Sequence, residues 1–537
     1  MLKLLYHRIF TIKNVELLTI ILLCITAVGM PLSRFMMSFG TVAVAIEWVI
    51  SGNWKYKFNN LKQNLFLWPI MALLVLHLLW LGRTANFSIA LHDFSGKLPL
   101  LFFPLIIGSL QLSRKQMLII LQVFVAAVVI STLVSLCVHL GIYVPKRKPV
   151  VNYRDISIFV SHIRLGIMCV MSVCIMIYIW LEPSITLKRW HKVLIVVTSA
   201  WLLYFTTLIQ TATSWVATLA AIVVLIVVKR QYIKQWIYYS VLAVIVAGIV
   251  ITVLFVRNIY NNMNHIRDTN DNPPELTQQG NRYEHNMRSD FTENGYYVYR
   301  YVCLEELEKE WNKRSSIAFG NIDGKGHPIK NSLMRYMTSK GLPKDSCGVW
   351  QLTEKDIKGI ENGFTNYICT EKSRIYNRIY EVIWEFDRYL NHNDPNGKSV
   401  CMRIEFFKAG MHIIKKHPWL GVGTGGNVEA FPQAYEEINS PLYEEYRFYA
   451  HNQYLTFIIT LGFVGFLLAI ICMIAPLFMA KSSDFLLVTF CTIMFVSMLD
   501  EDTLTRQLGC IMFAMLYALA LMLAKNKSDG SSKTAES

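Results

Sequence analysis

Residues 401–435 read CMRIEFFKAGMHIIKKHPWLGVGTGGNVEAFPQAY, and after an acidic spacer residues 447–468 read RFYAHNQYLTFIITLGFVGFLL. The first part predicts a helix: Ile404, Phe407, Met411 and Ile414 recur at helical spacing, Lys415 and Lys416 fill the last turn, and Pro418 follows. The glycine-rich run from Gly421 to Gly426 stops that helix. His451-Asn452 then stands at the head of an apolar run long enough to enter a bilayer. An arginine on a helix (Arg403), a glycine turn and a histidine at the mouth of a membrane helix together suggest a site that handles anions at a membrane surface.

Working outward, 54% of the 537 residues are hydrophobic and 17% charged, below the roughly 25% charged of soluble domains. The net charge of +15 raises the question of nucleic acid, and its location answers it. Residues 257–449 carry 25 Lys+Arg against 26 Asp+Glu, whereas the rest of the chain carries 27 against 11. The positive charge sits beside the apolar segments, the mark of membrane topology and not of phosphate-backbone binding. No nucleic-acid partner is expected.

Apolar windows place about twelve spans, near 15–31, 35–50, 65–82, 98–111, 116–143, 160–181, 192–209, 212–228, 236–256, 451–475, 485–499 and 508–524. The windows 35–50 and 98–111 are short for a perpendicular crossing and read as re-entrant or as extended by their flanks. Lys3, Arg8 and Lys13 precede the first span, which lacks a small-residue cleavage site and reads as uncleaved. The loops holding Lys55/Lys57/Lys62, Arg114/Lys115, Lys188/Arg189/Lys192 and Lys229/Arg230/Lys234, with Lys481 and the Lys525/Lys527 tail, fall on one side. This predicts cytoplasmic termini. Lys146, Arg147, Lys148 and Arg154 break the rule, either as a tolerated exception, as a sign of a miscounted span, or as a basic collar that attracts a phosphorylated lipid. The expected organisation is a nine-span region over 1–256, a large, partly helical outer loop domain over 257–449, a three-span region over 450–525 and a cytoplasmic tail over 526–537.

Seven of the eleven cysteines lie in apolar runs; Cys303, Cys347, Cys369 and Cys401 lie in the polar region, where two disulfides or four free thiols are both open. His451 reads either as a general base, since imidazole titrates near neutral pH, or as an interfacial cap. Asn452 either orients it or caps the helix. Arg403 suits a bidentate diphosphate contact or a paired helix face. The turn amides, Gly423 and Gly425 among them, either cradle an anion or turn the chain sharply back. No Lys-Ser/Thr follows the glycines, so this is not a P-loop. His412 and His417 are five apart, not the i,i+4 of a helical zinc pair, and no metal site is predicted. Glu501 and Asp502, in MLDEDTLTRQ, read as loop acids that contact a metal or an acceptor sugar, or simply face water.

Arg403, the HPWLGVGTGG run at 417–426 and AHNQYL at 450–455 resemble the O-antigen ligase/polymerase (Wzy_C-like) family of bacterial membrane glycosyltransferases. The resemblance implies an all-α polytopic enzyme of GT-C type in the bacterial inner (cytoplasmic) membrane, its large periplasmic loop lying between spans nine and ten. The implied donor is a glycan on a polyprenyl diphosphate, such as undecaprenyl diphosphate, and the implied acceptor is the lipid A-core. His451 would be the base on the periplasmic face, with Arg403 on the diphosphate and inversion by single displacement, independent of metal or other cofactor. One departure stands out. The family carries a second arginine after a serine, and this chain has Ser214-Trp215 there; Arg164, at the outer end of span six beside His162, is the substitute. A polymerase of the same family, or a lipid-sugar flippase or transporter, are the alternatives, and the absence of an internal repeat counts against the last.

Overall fold

The computed structural model describes residues 12–145, 153, 155–182, 185–228, 230, 234–480 and 484–535. The basic loop of Lys146, Arg147, Lys148 and Arg154, and the topology markers Lys3, Arg8, Lys229 and Lys481, lie outside them. The chain divides into two compact units, Met1–Tyr238 with Met402–Ser537, and Tyr239–Cys401. The Arg403 helix therefore groups with the membrane helices, whereas the sequence reading assigned it to the loop domain.

Within the described residues the regular elements of the first unit are all helices. Every apolar window in the sequence falls on a helix, but the count of twelve crossings is not reproduced. Across the described residues nine helices are long and apolar enough to cross a membrane, or ten if the pair Arg34–Ile50 and Trp54–Gln63, bent by 115°, is one span. Ala212–Val228 and Phe485–Ser497 are apolar but shorter. The window at 98–111 is part of a longer span, Phe87–Ser109, in which Pro99 opens a new helix after Lys97. Lys97 and Asp93 pair at 2.6 Å with Lys97 almost wholly buried, so two charges pass through an apolar layer as one neutral pair.

Helix ends are set by their sequence. Ser113 and Gln116 form a reciprocal capping box ahead of Arg114–His139, and Asp484 caps Phe485–Ser497 through the Leu486 N–H. At the centre stands the C-terminal helix, whose stretch from Cys510 to Ala524 is buried without interruption. A helix apolar on all sides has no solvent-facing stripe and packs in a bundle core. The span Tyr238–Asn264 opens the second unit, and its apolar stretch is long enough to cross a membrane.

The second unit is a small helical domain around Leu307, Trp311, Leu333, Tyr336, Met337 and Ile360. Its one sheet within the described residues is the two-residue ladder Thr292–Glu293 with Tyr296–Tyr297. Buried carboxylates tie the loops together. Burial opposes ionisation of Glu306, but hydrogen bonds from Thr277, Ser346 and Asn281 outweigh it and hold the carboxyl at about 2. All eleven cysteines are free thiols, so no disulfide joins Cys303, Cys347, Cys369 and Cys401.

Candidate active site at the head of the Gln453 helix

The helix Ser399–Lys416 ends at His417-Pro418, and the glycine run that follows turns backbone amides toward the protein. It docks against a break in the membrane helix Gln453–Met479, where Gly462 takes φ 67° and ψ −177°. A break frees backbone groups that lipid cannot satisfy. Here the turn satisfies them: the N–H groups of Val422 and Gly423 donate to the carbonyls of Ile459 and Thr460, each at 2.9 Å. In return Phe463 N–H donates to Pro418 O at 2.8 Å and Val464 N–H to Trp419 O at 3.2 Å. A Cβ at Gly462 would lie 2.2 Å from Trp419 O, so only glycine permits the approach. The Trp80 indole N–H donates to Leu420 O at 2.8 Å, and Thr424 Oγ1 donates to His77 O at the same distance. The Gly423 N–H is thus committed to the protein. Gly425, at φ 78°, lies against the Ala90 backbone.

Twenty-five residues on, the chain re-enters the bilayer through His451. Its backbone is left-handed at φ 48°, uncommon for a residue with a side chain and a form of strain that gathers at functional sites. Two partners hold the turn. The His451 N–H donates to Asp502 Oδ2 at 3.1 Å, and Asn452 caps the helix by accepting from the Leu455 N–H at 3.0 Å. Asn452 Nδ2 also donates to Leu499 O at 3.0 Å, and Gln453 Oε1 accepts from the Leu504 N–H at 2.6 Å. The head of the helix is stitched to the loop 499–506.

That loop carries three consecutive acids, each with its own partner. Asp500 pairs with Arg403 and accepts from Thr213 Oγ1. Glu501 Oε2 meets Arg164 Nη2 at 3.3 Å. Asp502 accepts from Thr456 Oγ1 at 2.6 Å, besides the His451 N–H. Arg164 and Thr213 are brought in by helices His162–Leu181 and Ala212–Val228, which approach closely because a Cβ at Gly166 would collide with Ser214 Oγ at 2.1 Å. Trp215, next to Ser214, has an indole nitrogen with no hydrogen-bond partner among the described residues. Beside the Arg164–Glu501 pair is a cavity of about 20 Å³, enough for a water and too small for a sugar.

The electrostatics favour a neutral imidazole. Burial lowers the His451 pKa; Asp502 and Glu501 pull it upward, while Arg403 and Arg506 add to the lowering. Burial likewise raises the Asp502 pKa, against the hydrogen bond from Thr456 and the charge of His451. The ring lies 5.6 Å from Phe406 and 6.2 Å from Phe448, centroid to centroid. Arg403 keeps 40% of its side chain exposed, within reach of an incoming anion. Among the described residues no three His, Cys, Asp or Glu side chains are grouped to hold a metal ion.

Of the candidates drawn from the sequence, Arg403, Arg164, Asn452, His451 and Glu501 meet in this cluster, and Gly423 and Gly425 lie in the joint. Asp500, Thr213, Thr456 and Arg506 escaped the reading; the acid triplet LDED after an apolar run was the available signal.

Compared as a whole, the chain matches no curated protein. Residues 367–470 match the family model described as O-antigen ligase, Wzy_C, a segment that holds Arg403, the glycine joint and His451 but not Arg164 or the loop 499–506. Over that segment this chain, with its many apolar helices, is similar to the O-antigen ligase family.

Proposed function

We propose that the protein is an inverting glycosyltransferase of the bacterial inner membrane. It would move a glycan from a polyprenyl diphosphate to the lipid A-core on the periplasmic face, within a GT-C-type scaffold with both termini cytoplasmic. The observation that carries the reading is the meeting of a neutral, strained His451 with Arg403 and Arg164 at the head of one membrane helix. In this mechanism His451 accepts the proton of the acceptor hydroxyl as its oxygen attacks the anomeric carbon. The bond from that carbon to the diphosphate oxygen breaks, and the polyprenyl diphosphate leaves with the electron pair. Asp502 fixes the histidine turn through the backbone and, as a nearby negative charge, stabilises the imidazolium that forms. Arg403 stabilises charge on the leaving diphosphate, exchanging Asp500 for phosphate oxygens, and Arg164 assists by the same exchange with Glu501. Preorganised charge of this kind supplies much of the barrier reduction in such reactions. The residues in these roles need no metal.

Loss of the gene followed by a lipopolysaccharide gel tests the function. The expected result is core without polymer, restored by the wild-type chain and not by His451→Ala. Core bearing a single repeat would reassign the protein as a polymerase, and an unchanged ladder would refute both.

A further inference from the structure

Within the Tyr239–Cys401 unit, a groove of about 310 Å³ opens between the segment 291–299 and the helices Ile329–Ser339 and Arg374–His392. That is the lower end of the range for small-ligand sites, room for about one or two sugar rings. Its walls carry the rings of Phe291, Tyr299 and Trp384, with Asn331 exposed at the rim. Flat aromatic faces beside a few hydrogen-bonding groups suit a pyranose, which offers C–H bonds on its face and hydroxyls on its edge.

Two arginines line the groove and differ in how their charge is met. Arg335 donates through Nε to Glu293 at 2.7 Å and approaches the same carboxylate through Nη2 at 2.6 Å. Arg388 lies over Phe291 at 4.7 Å and over Trp384 at 5.9 Å, makes no ion pair with a described residue, and has a buried Nε without a hydrogen-bond partner. The unit's other arginines with described side chains that are buried or half-buried each face a carboxylate, although the buried Nε of Arg300 also lacks a hydrogen-bond partner. Arg300 faces Asp268, Arg314 faces Glu354, and Arg378 faces Glu381. A partly desolvated guanidinium held against two aromatic faces without a carboxylate is an incomplete arrangement. A planar anion at the open end of its fork completes it.

We infer that the groove of Phe291, Trp384 and Arg388 is a binding site for a glycan segment bearing a carboxylate, a uronic-acid type of sugar. The aromatic rings hold the ring faces and Arg388 selects the acid. The biological sense of the site rests on the glycosyl-transfer reading; its chemistry does not.

The test uses the full chain, purified in detergent and titrated calorimetrically with a hyaluronan tetrasaccharide, with neutral chitotetraose and with inorganic phosphate. The acidic probe binds saturably and about tenfold or more tighter than the neutral one, a ratio in reach of a charge-assisted contact. Arg388→Gln lowers its affinity to the neutral level and leaves chitotetraose unchanged, while Arg388→Lys, which keeps the charge without the fork, falls between. Trp384→Ala weakens both sugars. His451→Ala binds both as wild type does, so failure of the transfer mechanism and failure of this site are told apart. Equal affinity for the two sugars, no saturable binding at millimolar concentrations, a preference that survives Arg388→Gln, or full competition by phosphate each overturns the proposal.

Discussion

The glycine joint and His451 lie in one short piece of chain, but the joint and the cluster around His451 use their polar groups in opposite ways. In the joint, Pro418 to Gly423 and Ile459 to Val464 exchange backbone hydrogen bonds across a broken membrane helix. In the cluster the backbone serves mainly to hold side chains: a left-handed histidine, three acids and the arginines and threonines that face them. The joint is a structural solution to a break in lipid; the cluster gathers charges around a left-handed turn. A residue's place in a family-like motif therefore does not decide whether it builds the scaffold or does chemistry.

The largest effect is expected from the joint. Gly462→Val forces a branched side chain into a left-handed backbone, which costs about 1–3 kcal/mol before any collision. It also drives the Cβ into Trp419 O. Thermal unfolding in detergent should show a strongly destabilised or unrecoverable protein. A variant as stable as wild type would dissolve the distinction between the two regions.

In the cluster, effects should fall on turnover and not on folding. Arg403→Gln should lower transfer by about 10²-fold, the scale of losing one preorganised charge contact. Asp500→Asn should cost much less, because in the mechanism the carboxylate is the partner that Arg403 gives up. Equal losses in the two variants, with equal losses of stability, would make the pair structural.

A smaller effect concerns pH. In the proposed mechanism transfer needs neutral His451, so activity should be lost as pH falls through its pKa, which burial places below the ordinary imidazole value. The Asp502 carboxylate raises that pKa. Asp502→Asn should therefore move the acid limb of the rate profile to lower pH, with a lower plateau because the imidazolium is less stabilised. A limb that stays put or moves up would remove Asp502 from the site.

The fold was legible where hydrophobicity carried it, since each apolar window became a helix. It was less legible where charges cancel: the Lys97–Asp93 pair lets Phe87–Lys97 join a span that windowed hydropathy cut short. The Arg403 helix read as part of the outer domain because its polar neighbours lie on both sides in sequence. The cluster was legible as single residues, but not as pairs. Nothing local in TATS or LDED announces that Thr213 and Arg403 share Asp500, for those partners are 287 and 97 residues away. The role of the glycine turn was undecidable for the same reason, because the carbonyls it serves belong to another helix.

The most direct measurement is the transfer rate of His451→Asn beside that of His451→Ala. Asparagine tolerates the left-handed backbone and caps helices well, so it should preserve the turn while removing the base. Both variants should retain expression and donor binding and lose about 10²–10⁴-fold in turnover, the contribution of a general base. A His451→Asn enzyme close to wild type, beside an inactive or unstable His451→Ala, would mean that this position only shapes the turn.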